Sequence, residues 1–241
     1  MDLIVGTIGT SLSRRGQLPA RLGEARNPGG IDLMATIDQT NYNLSFTAAS
    51  LRPELARVVA EYYLAVGDWA IAKDRILSSN ALQCRSAGSA VRLERELRQR
   101  ITRLTHDQIA LLAHATSDDR AAMAWLATQK HCRFAFEFAA EVLREKLATH
   151  DPVLRPSDYE TYVESKSVAH SELVQLADVS KRKIRQVLLL MLAEAGLLGA
   201  GAALGMIQRP TLSAAAFRAV VDDSRYWLAG FLIPDSEIRC L

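Results

Sequence analysis

The sequence predicts a mostly α-helical protein, and three observations support this fold class. Ala, Leu, Arg and Glu dominate the 241 residues, whereas the chain contains only 13 glycines and 7 prolines. Those four residue types have high helix propensity. After Leu44, apolar residues recur at intervals of three and four, which is the spacing of one helix face. Residues that cap helices precede several of these segments, so a β-sandwich or barrel is disfavoured.

Changes in composition divide the chain into three predicted parts. Residues 1–40 include a stretch rich in Gly, Pro and Arg without periodicity, which predicts a disordered leader and makes Met34 a candidate for the true start codon. The first five residues lack the positive charge and long apolar core of a signal peptide. Residues 41–152 predict a bundle of about six helices, and residues 153–241 predict a smaller unit followed by a C-terminal helix.

The predicted bundle contains an arginine-rich helix that opens at Ser86 or Ser89 and runs through Leu104. Its apolar stripe leaves three arginines on the opposite side, and these form a secondary basic face: Arg92, Arg95 and Arg103. Such a face could follow a phosphate backbone. Pairing with the two glutamates of the same segment is the alternative explanation.

The most specific pattern lies in residues 170–213. A short helix over residues 170–177 and a compact turn precede a longer helix over residues 181–195, which is the order of a helix–turn–helix unit. Ser180 is placed to cap the longer helix. Leu197–Leu198 and Met206–Ile207 can pair as a short β-hairpin around a turn rich in Gly and Ala. The sequence therefore predicts a small winged helix–turn–helix-like unit.

The start of the longer helix is the predicted nucleic-acid-binding site. Its members are Ser180, Lys181, Arg182, Lys183, Arg185 and Gln186, with Arg209 near the wing. In a helix–turn–helix unit these positions enter a groove, and free N–H groups at the helix start favour a phosphate. A solvated basic face is the alternative, because the helix dipole disfavours cations in a first turn. Leu189 and Leu190 could also dock on the bundle and limit access to a groove.

The distribution of charge is more informative than the net charge of +2. Residues 85–103 hold six arginines against two glutamates, and residues 181–185 hold four basic residues and no acid. Between these segments, residues 104–179 carry twelve acids and seven bases. Basic islands on a neutral body favour a protein that binds phosphates at defined places.

An apolar run from Val187 to Ile207 raises the question of a membrane span, because Glu194 is its only charged residue. Glu194 would lie near the centre of the bilayer at a cost of a few kcal/mol, and four glycines interrupt the second half. Three cysteines lie far apart, without CxxC or metal-ligand spacing, which favours a reduced compartment. We therefore predict a cytoplasmic protein that does not span a membrane.

Catalytic and cofactor motifs are missing from the sequence. The five histidines are scattered, and no HExxH, GxSxG, P-loop or GxGxxG pattern occurs. His131 and Cys132 lie between two apolar segments and are expected to pack rather than react. The acidic pairs Asp118–Asp119 and Asp222–Asp223 are expected to be caps or solvated turns. We expect no catalytic residue, no metal and no cofactor.

Five stretches of the chain together carry a family resemblance. The stretches are Tyr42-Asn43-Leu44-Ser45-Phe46-Thr47 with Leu51-Arg52, Gly67-Asp68-Trp69 with Arg75 and Leu77, the segment from Ala90-Val91-Arg92-Leu93 to Arg100, FAFEFAAEVLREK at 134–146, and HSELVQLADVSKRKIRQVLLLMLAEAGLL at 170–198. In these stretches the sequence resembles the BrxA family, small proteins of the BREX (bacteriophage exclusion) defence systems of bacteria. The resemblance extends over residues 41–213.

The resemblance implies an N-terminal helical bundle similar to the antitermination factor NusB, a winged-helix part and binding to double-stranded DNA. It also implies that other BREX proteins are partners, in a system that methylates host DNA and blocks phage replication. NusB-like proteins bind RNA, so RNA is an alternative ligand. A protein–protein adaptor, whose basic helix docks on an acidic partner, is the alternative from another class. The resemblance transfers no contact residues, and the basic residues named above are predicted from geometry.

Overall fold

The computed structural model describes residues 41–199 and 205–241, and the predicted mostly helical class is confirmed over these residues. The helices are α1 (Pro53–Val66), α2 (Trp69–Ser78), α3 (Ala87–Ile101), α4 (His106–His114), α5 (Ser117–His131), α6 (Arg133–Glu137), α7 (Arg144–Ala148), α8 (Pro156–Ser167), α9 (Ser171–Val174), α10 (Asp178–Glu194), α11 (Ala214–Asp223) and α12 (Asp235–Arg239). A π-helical segment, Phe138–Leu143, joins α6 to α7. Short 3-10 helices occupy Ser45–Ala48 and Arg225–Phe231. The predicted leader and Met34 lie outside the described residues.

Capping residues set the ends of several bundle helices, as the sequence predicts. The side chains of Asp68, Ser86 and Thr105 each accept a hydrogen bond from a backbone N–H three residues later. Gly67 ends α1 in the left-handed conformation, with φ of 68°, which a residue without Cβ adopts readily. At α5 the cap is Thr116, whose side chain accepts a hydrogen bond from the backbone N–H of Asp119.

The core is built around α5 and the helical run that follows it. Trp125, Phe134 and Phe138 are fully buried there. Helix α1 packs against α2, α3, α4 and α5, and α11 returns from the C-terminal part of the chain to pack on α4 and α5. In the described chain, helices that precede residue 152 therefore pack against a helix that follows it. The division into a bundle and a smaller unit at that residue stays a prediction.

Two charged side chains hold the segment before α1: one binds its backbone carbonyls and the other binds its backbone N–H groups. Arg100 of α3 is only 2% exposed; it pairs with Glu96 at 2.7 Å and donates hydrogen bonds to the carbonyls of Phe46, Ala49 and Ser50. Glu194, at the end of α10, accepts hydrogen bonds from the backbone N–H groups of Leu51 at 2.6 Å and Arg52 at 3.2 Å. Ser50 also donates to Glu194 and does not cap α1, which begins at Pro53. Glu194 thus ties α10 to the start of α1, where the helix dipole favours an anion.

Most of the described residues in the apolar run at 187–207 belong to the protein core. Helix α10 ends at Glu194, and Gly196 follows in the left-handed conformation with φ of 72°. Val187, Leu188 and Leu192 are buried. No helix in the described part of the chain is long and apolar enough to cross a membrane.

The predicted β-hairpin is not seen as a pair of strands. Leu198 and Ile207 form one isolated antiparallel bridge, and Val153 forms another with Met206. The N–H of Ile207 donates to the carbonyl of Pro152 at 2.6 Å, so the 205–207 segment divides its hydrogen bonds between two neighbours and forms no continuous ladder with Leu197–Leu198. The predicted tip of the hairpin, residues 200–204, lies outside the described residues.

Candidate nucleic-acid interface

Helices α8, α9 and α10 form the part of the fold that carries the predicted site. Helix α9 packs against α8 and comprises one turn, shorter than the expected helix over 170–177. Buried Leu173 anchors α9. On α10, the buried side is formed by Ile184, Val187, Leu188, Met191 and Leu192. This side fixes which residues of α10 face outward.

The predicted cap at Ser180 is wrong. Helix α10 begins at Asp178, and Ala177 occupies the N-cap position with an extended backbone and no side-chain hydrogen bond. The N–H of Lys181 donates to the carbonyl of Ala177 at 3.0 Å, so the N–H groups from Lys181 onward are used within the helix. Ser180 lies exposed in the first turn. The earlier start also places the basic residues one turn into the helix, where the unfavourable dipole effect on cations has weakened.

Three of the predicted contact residues are exposed and unpaired. Arg182, Lys183 and Gln186 face outward, and their side chains make no hydrogen bond or ion pair with any described residue. The half-buried Lys181 is likewise unpaired within the described chain. These side chains are therefore available to a ligand.

Arg185 differs from its neighbours because α8 holds its side chain. Its guanidinium lies 3.5 Å from the carboxylate of Glu160 and 5.7 Å from the centre of the Tyr159 ring. The ion pair is partly exposed, so it is weak and can be exchanged for another anion. The sequence placed Arg185 in the site, but it could not indicate this competing acid.

Arg209 is exposed, as expected for a residue beyond the wing, but it also has an acidic partner. Its guanidinium lies 3.2 Å from a carboxylate oxygen of Glu237 in α12. Arg144, His150 and Arg209 line one cavity of about 290 Å³, and Arg144 pairs with Asp235 at 2.6 Å. The acidic residues of α12 thus form ion pairs with arginines in this region.

The secondary basic face on α3 is more available than its sequence suggests. The two glutamates that could neutralise it are buried and engaged elsewhere: Glu94 pairs with Arg98 at 2.6 Å, and Glu96 pairs with Arg100. The three predicted residues, Arg92, Arg95 and Arg103, are exposed and form no ion pair with described residues. Helix α3 ends at Ile101 and not at Leu104 as predicted, so Arg103 lies in the turn that follows the helix. The alternative explanation, pairing along an exposed helix, therefore does not hold for these three arginines.

Two apolar side chains share the exposed face of α10 and are absent from the sequence prediction of the site. Val179 is 69% exposed, and Leu190 is 47% exposed rather than docked on the bundle. Leu190 borders a cavity of about 390 Å³ whose apolar lining includes Leu154, Pro156, Tyr159, Leu189 and Leu198. The signal that could have found Val179 is its spacing, four residues before Lys183 and seven before Gln186.

A half-buried polar cluster anchors the start of the described chain to α9. The backbone N–H of Tyr42 donates to Glu172 at 2.6 Å, and its ring stacks on His170 at 3.9 Å. Burial, together with the neighbouring Glu137 carboxylate, raises the pKa of the Tyr42 hydroxyl to about 12. The cluster therefore holds α9 through a side chain that stays neutral at physiological pH.

Burial makes the two residues considered for catalysis, His131 and Cys132, better suited to packing than to reaction. Cys132 is 1% exposed, and burial raises the pKa of its thiol to about 12. His131 is half-buried, and the same cause lowers its pKa. Within the described residues, no three His, Cys, Asp or Glu side chains are grouped as metal ligands.

The chain is similar to known proteins in both sequence and fold. The sequence pattern of the BrxA family matches residues 40–223. Two relatives, each named BREX protein BrxA, come from Escherichia coli and Bacillus cereus and are 28% and 25% identical over 141 residues. These matches span 58% of this chain, 66% of the first relative and 70% of the second. A crystal structure of an uncharacterized protein from Magnetospirillum magneticum has a similar fold, with a TM-score of 0.70, 16% identity, and coverage of 80% of this chain and 98% of that one.

Proposed function

This chain belongs to the BrxA family, and from that premise we propose that it is a non-catalytic double-stranded-DNA-binding accessory protein of a bacterial BREX anti-phage defence system. Its proposed place of action is the cytoplasm, and its proposed partners are duplex DNA and other BREX proteins. The curated relatives support the defence system through their names. Support for the proposed DNA contact comes from the exposed basic side chains of this chain.

The observation that carries the proposal is the outward face of α10. Arg182, Lys183 and Gln186 are exposed and unpaired within the described chain, while the opposite side of the same helix is buried in the core. A helix fixed in this way presents its cations in one direction. This arrangement is typical of a recognition helix, whose N-terminal half lies in the major groove of DNA.

The α3 face supports a second contact with phosphates. Arg92 and Arg95 lie on α3, which extends about 13.5 Å from Arg92 to its end at Ile101 at 1.5 Å per residue. Arg103 follows in the turn after the helix. Unpaired arginines spread over such a length suit an extended sugar–phosphate backbone better than a single small anion. We propose that this face stabilises the complex without reading sequence.

The proposal that the protein is not an enzyme is based on the surroundings of Cys132 and His131. A thiol as deeply buried as that of Cys132 is protonated at neutral pH, and the thiolate is the form that reacts. His131 lies next to it, with Nε2 3.3 Å from the amide nitrogen of Asn43. Neither group lines any of four cavities that border α7, α8 or α10.

A salt titration of binding tests the proposal. Fluorescence anisotropy would be measured with a labelled 30-base-pair duplex, the matching single strand and an RNA hairpin. The double variant Arg182→Glu/Lys183→Glu should weaken duplex binding by at least about tenfold and reduce the slope of log K against log salt by about 1.8, since each lost phosphate contact contributes about 0.9. Arg225→Glu, which reverses an exposed charge away from α10, is the matched control.

The same experiment separates the alternatives. Tighter binding to the RNA hairpin than to the duplex would replace DNA with RNA as the ligand. If none of the nucleic acids binds while the protein captures another BREX protein, the adaptor function is correct. The apolar cavity beside Leu190 is the specific feature that favours this second function.

A further inference from the structure

The exposed face of α10 has an ordered composition that phosphate binding alone does not explain. Val179, Lys183, Gln186 and Leu190 follow one another at intervals of four, three and four residues. At about 100° per residue, these four positions fall within about 40° of one line along the helix. Arg182 flanks the line. The face thus carries an apolar group, a cation, an amide and a second apolar group in order.

Val179 is the member of this line that has no structural explanation. It is 69% exposed in the second position of the helix and is not part of the apolar core. Val also has a lower helix propensity than Ala at such a position. Single exposed apolar residues are common, but this one lies at the end of the helix that is proposed to enter the groove.

Gln186 supplies the second independent feature. It is exposed, and its amide makes no hydrogen bond to a described residue. A free amide has one donor and one acceptor side, which match the N6 and N7 positions of adenine in the major groove. The methyl group of thymine is the apolar feature of the same groove. Val179 and Gln186 together therefore fit the chemistry of A·T base pairs.

We propose that α10 reads sequence as well as charge, with Val179 packing against a thymine methyl group and Gln186 binding an adenine. This inference rests on the proposed duplex-DNA function. The two side chains are seven residues apart, about 10.5 Å along the helix, so the bases that they contact lie within about three base-pair steps of 3.4 Å. The preferred site contains a thymine contacted by Val179 and, within that distance, an A·T pair contacted by Gln186. Arg182 and Lys183 reach the phosphates on either side.

The test removes only the thymine methyl group. Anisotropy titrations would compare a 30-base-pair duplex of mixed sequence with the same duplex in which deoxyuridine replaces every thymidine. The wild-type protein should bind the uracil duplex about three- to fourfold more weakly, the effect expected for one buried methyl group. Val179→Ala should bind the two duplexes equally, because it has lost the group that contacts the methyl. Val168→Ala, which shortens a valine that is 91% exposed at the end of α8, should keep the wild-type ratio.

A second arm addresses Gln186. Duplexes with and without A·T pairs would be compared, and Gln186→Ala should reduce the preference for the A·T-containing duplex by about fivefold or more. Both substitutions replace exposed side chains with alanine in a helix, so the variants are expected to fold.

Each outcome decides a different question. If the wild type binds both thymine and uracil duplexes equally and has no preference for A·T pairs, base reading is wrong and the phosphate-binding function survives. A uracil effect that persists in Val179→Ala also overturns the assignment of Val179. No binding to any duplex overturns the proposed function and this inference together.

Discussion

Helices α3 and α10 both carry clusters of basic residues, but their cations occupy different positions on the helix. In α3 the arginines lie on two sides: Arg100 faces the interior and holds three carbonyls and Glu96, while Arg92 and Arg95 face outward. Arg103 is exposed in the turn just after the helix. In α10 the buried residues are all apolar, and the cations share the first half of the outer side. The same residue type therefore stabilises the fold in one position and is free for a ligand in another.

The comparison shows that the positions of the acidic residues, as much as those of the basic residues, decide which cations are free to bind a ligand. The two glutamates of α3 are buried and pair with Arg98 and Arg100, so they do not neutralise the outer face. On α10 no acid lies between residues 179 and 193, yet Glu160 from α8 reaches Arg185. Local charge counts along the chain thus overestimate pairing in α3 and underestimate it in α10.

The largest expected effect comes from the inner side of α3. Arg100→Ala leaves the Glu96 carboxylate buried without its partner and removes the donors to three carbonyls, so we expect the free energy of unfolding to fall by about 3–5 kcal/mol. Urea denaturation followed by circular dichroism measures this change. Arg95→Ala, one exposed arginine on the same helix, should change stability by less than about 0.5 kcal/mol. Equal losses in both variants would contradict the division of α3 into two sides.

The second effect concerns DNA affinity and separates the two outer faces. Charge reversal on α3, Arg92→Glu/Arg95→Glu, should weaken duplex binding less than Arg182→Glu/Lys183→Glu on α10, and it should lower affinity equally for all sequences because it affects only phosphate contacts. Anisotropy with A·T-containing and G·C-only duplexes measures both properties. A larger loss for the α3 variant would make α3 the principal interface and α10 the accessory one.

Most of the helical framework could be predicted from sequence because its determinants are local. Asp68, Ser86 and Thr105 cap the helices that follow them, and Gly67 and Gly196 mark helix ends, since caps and left-handed residues act within a few positions. The start of α10 shows where this reasoning fails. Ser180 is a better N-cap residue than Ala177, but an extended backbone at Ala177 allows the helix to begin one turn earlier.

The partners of the candidate site could not be predicted, because they come from distant parts of the chain. Glu194 was recognisable only as the one charge in an apolar run, and its role at the start of α1 depends on contacts more than 140 residues away. Glu160 and Glu237 likewise reach Arg185 and Arg209 from other helices. Side-chain periodicity predicts which residues face outward, whereas the charges that meet them follow from tertiary packing.

A smaller effect on duplex affinity is expected when Arg185 loses its ion pair with Glu160. Glu160→Gln removes the carboxylate beside Arg185 and lowers the local negative charge near α10, so duplex affinity should rise by about two- to fivefold, within the range of a partly exposed ion pair. The gain should shrink at high salt. Asp222→Asn, which removes an exposed carboxylate that is unpaired within the described chain, is the matched control. Unchanged affinity in Glu160→Gln would mean that Arg185 does not contact DNA.

The smallest effect is expected at the C-terminal end. Glu237→Gln frees Arg209, but both side chains of this pair are about half exposed, so solvent already screens their attraction. We expect duplex affinity to increase by about twofold at low salt and by less at physiological salt. Arg209→Gln in the same assay should cancel that gain, because the glutamate can influence DNA only through the charge it neutralises. If Glu237→Gln raises affinity equally with and without Arg209, the carboxylate acts by direct repulsion of phosphate, and Arg209 does not belong to the interface.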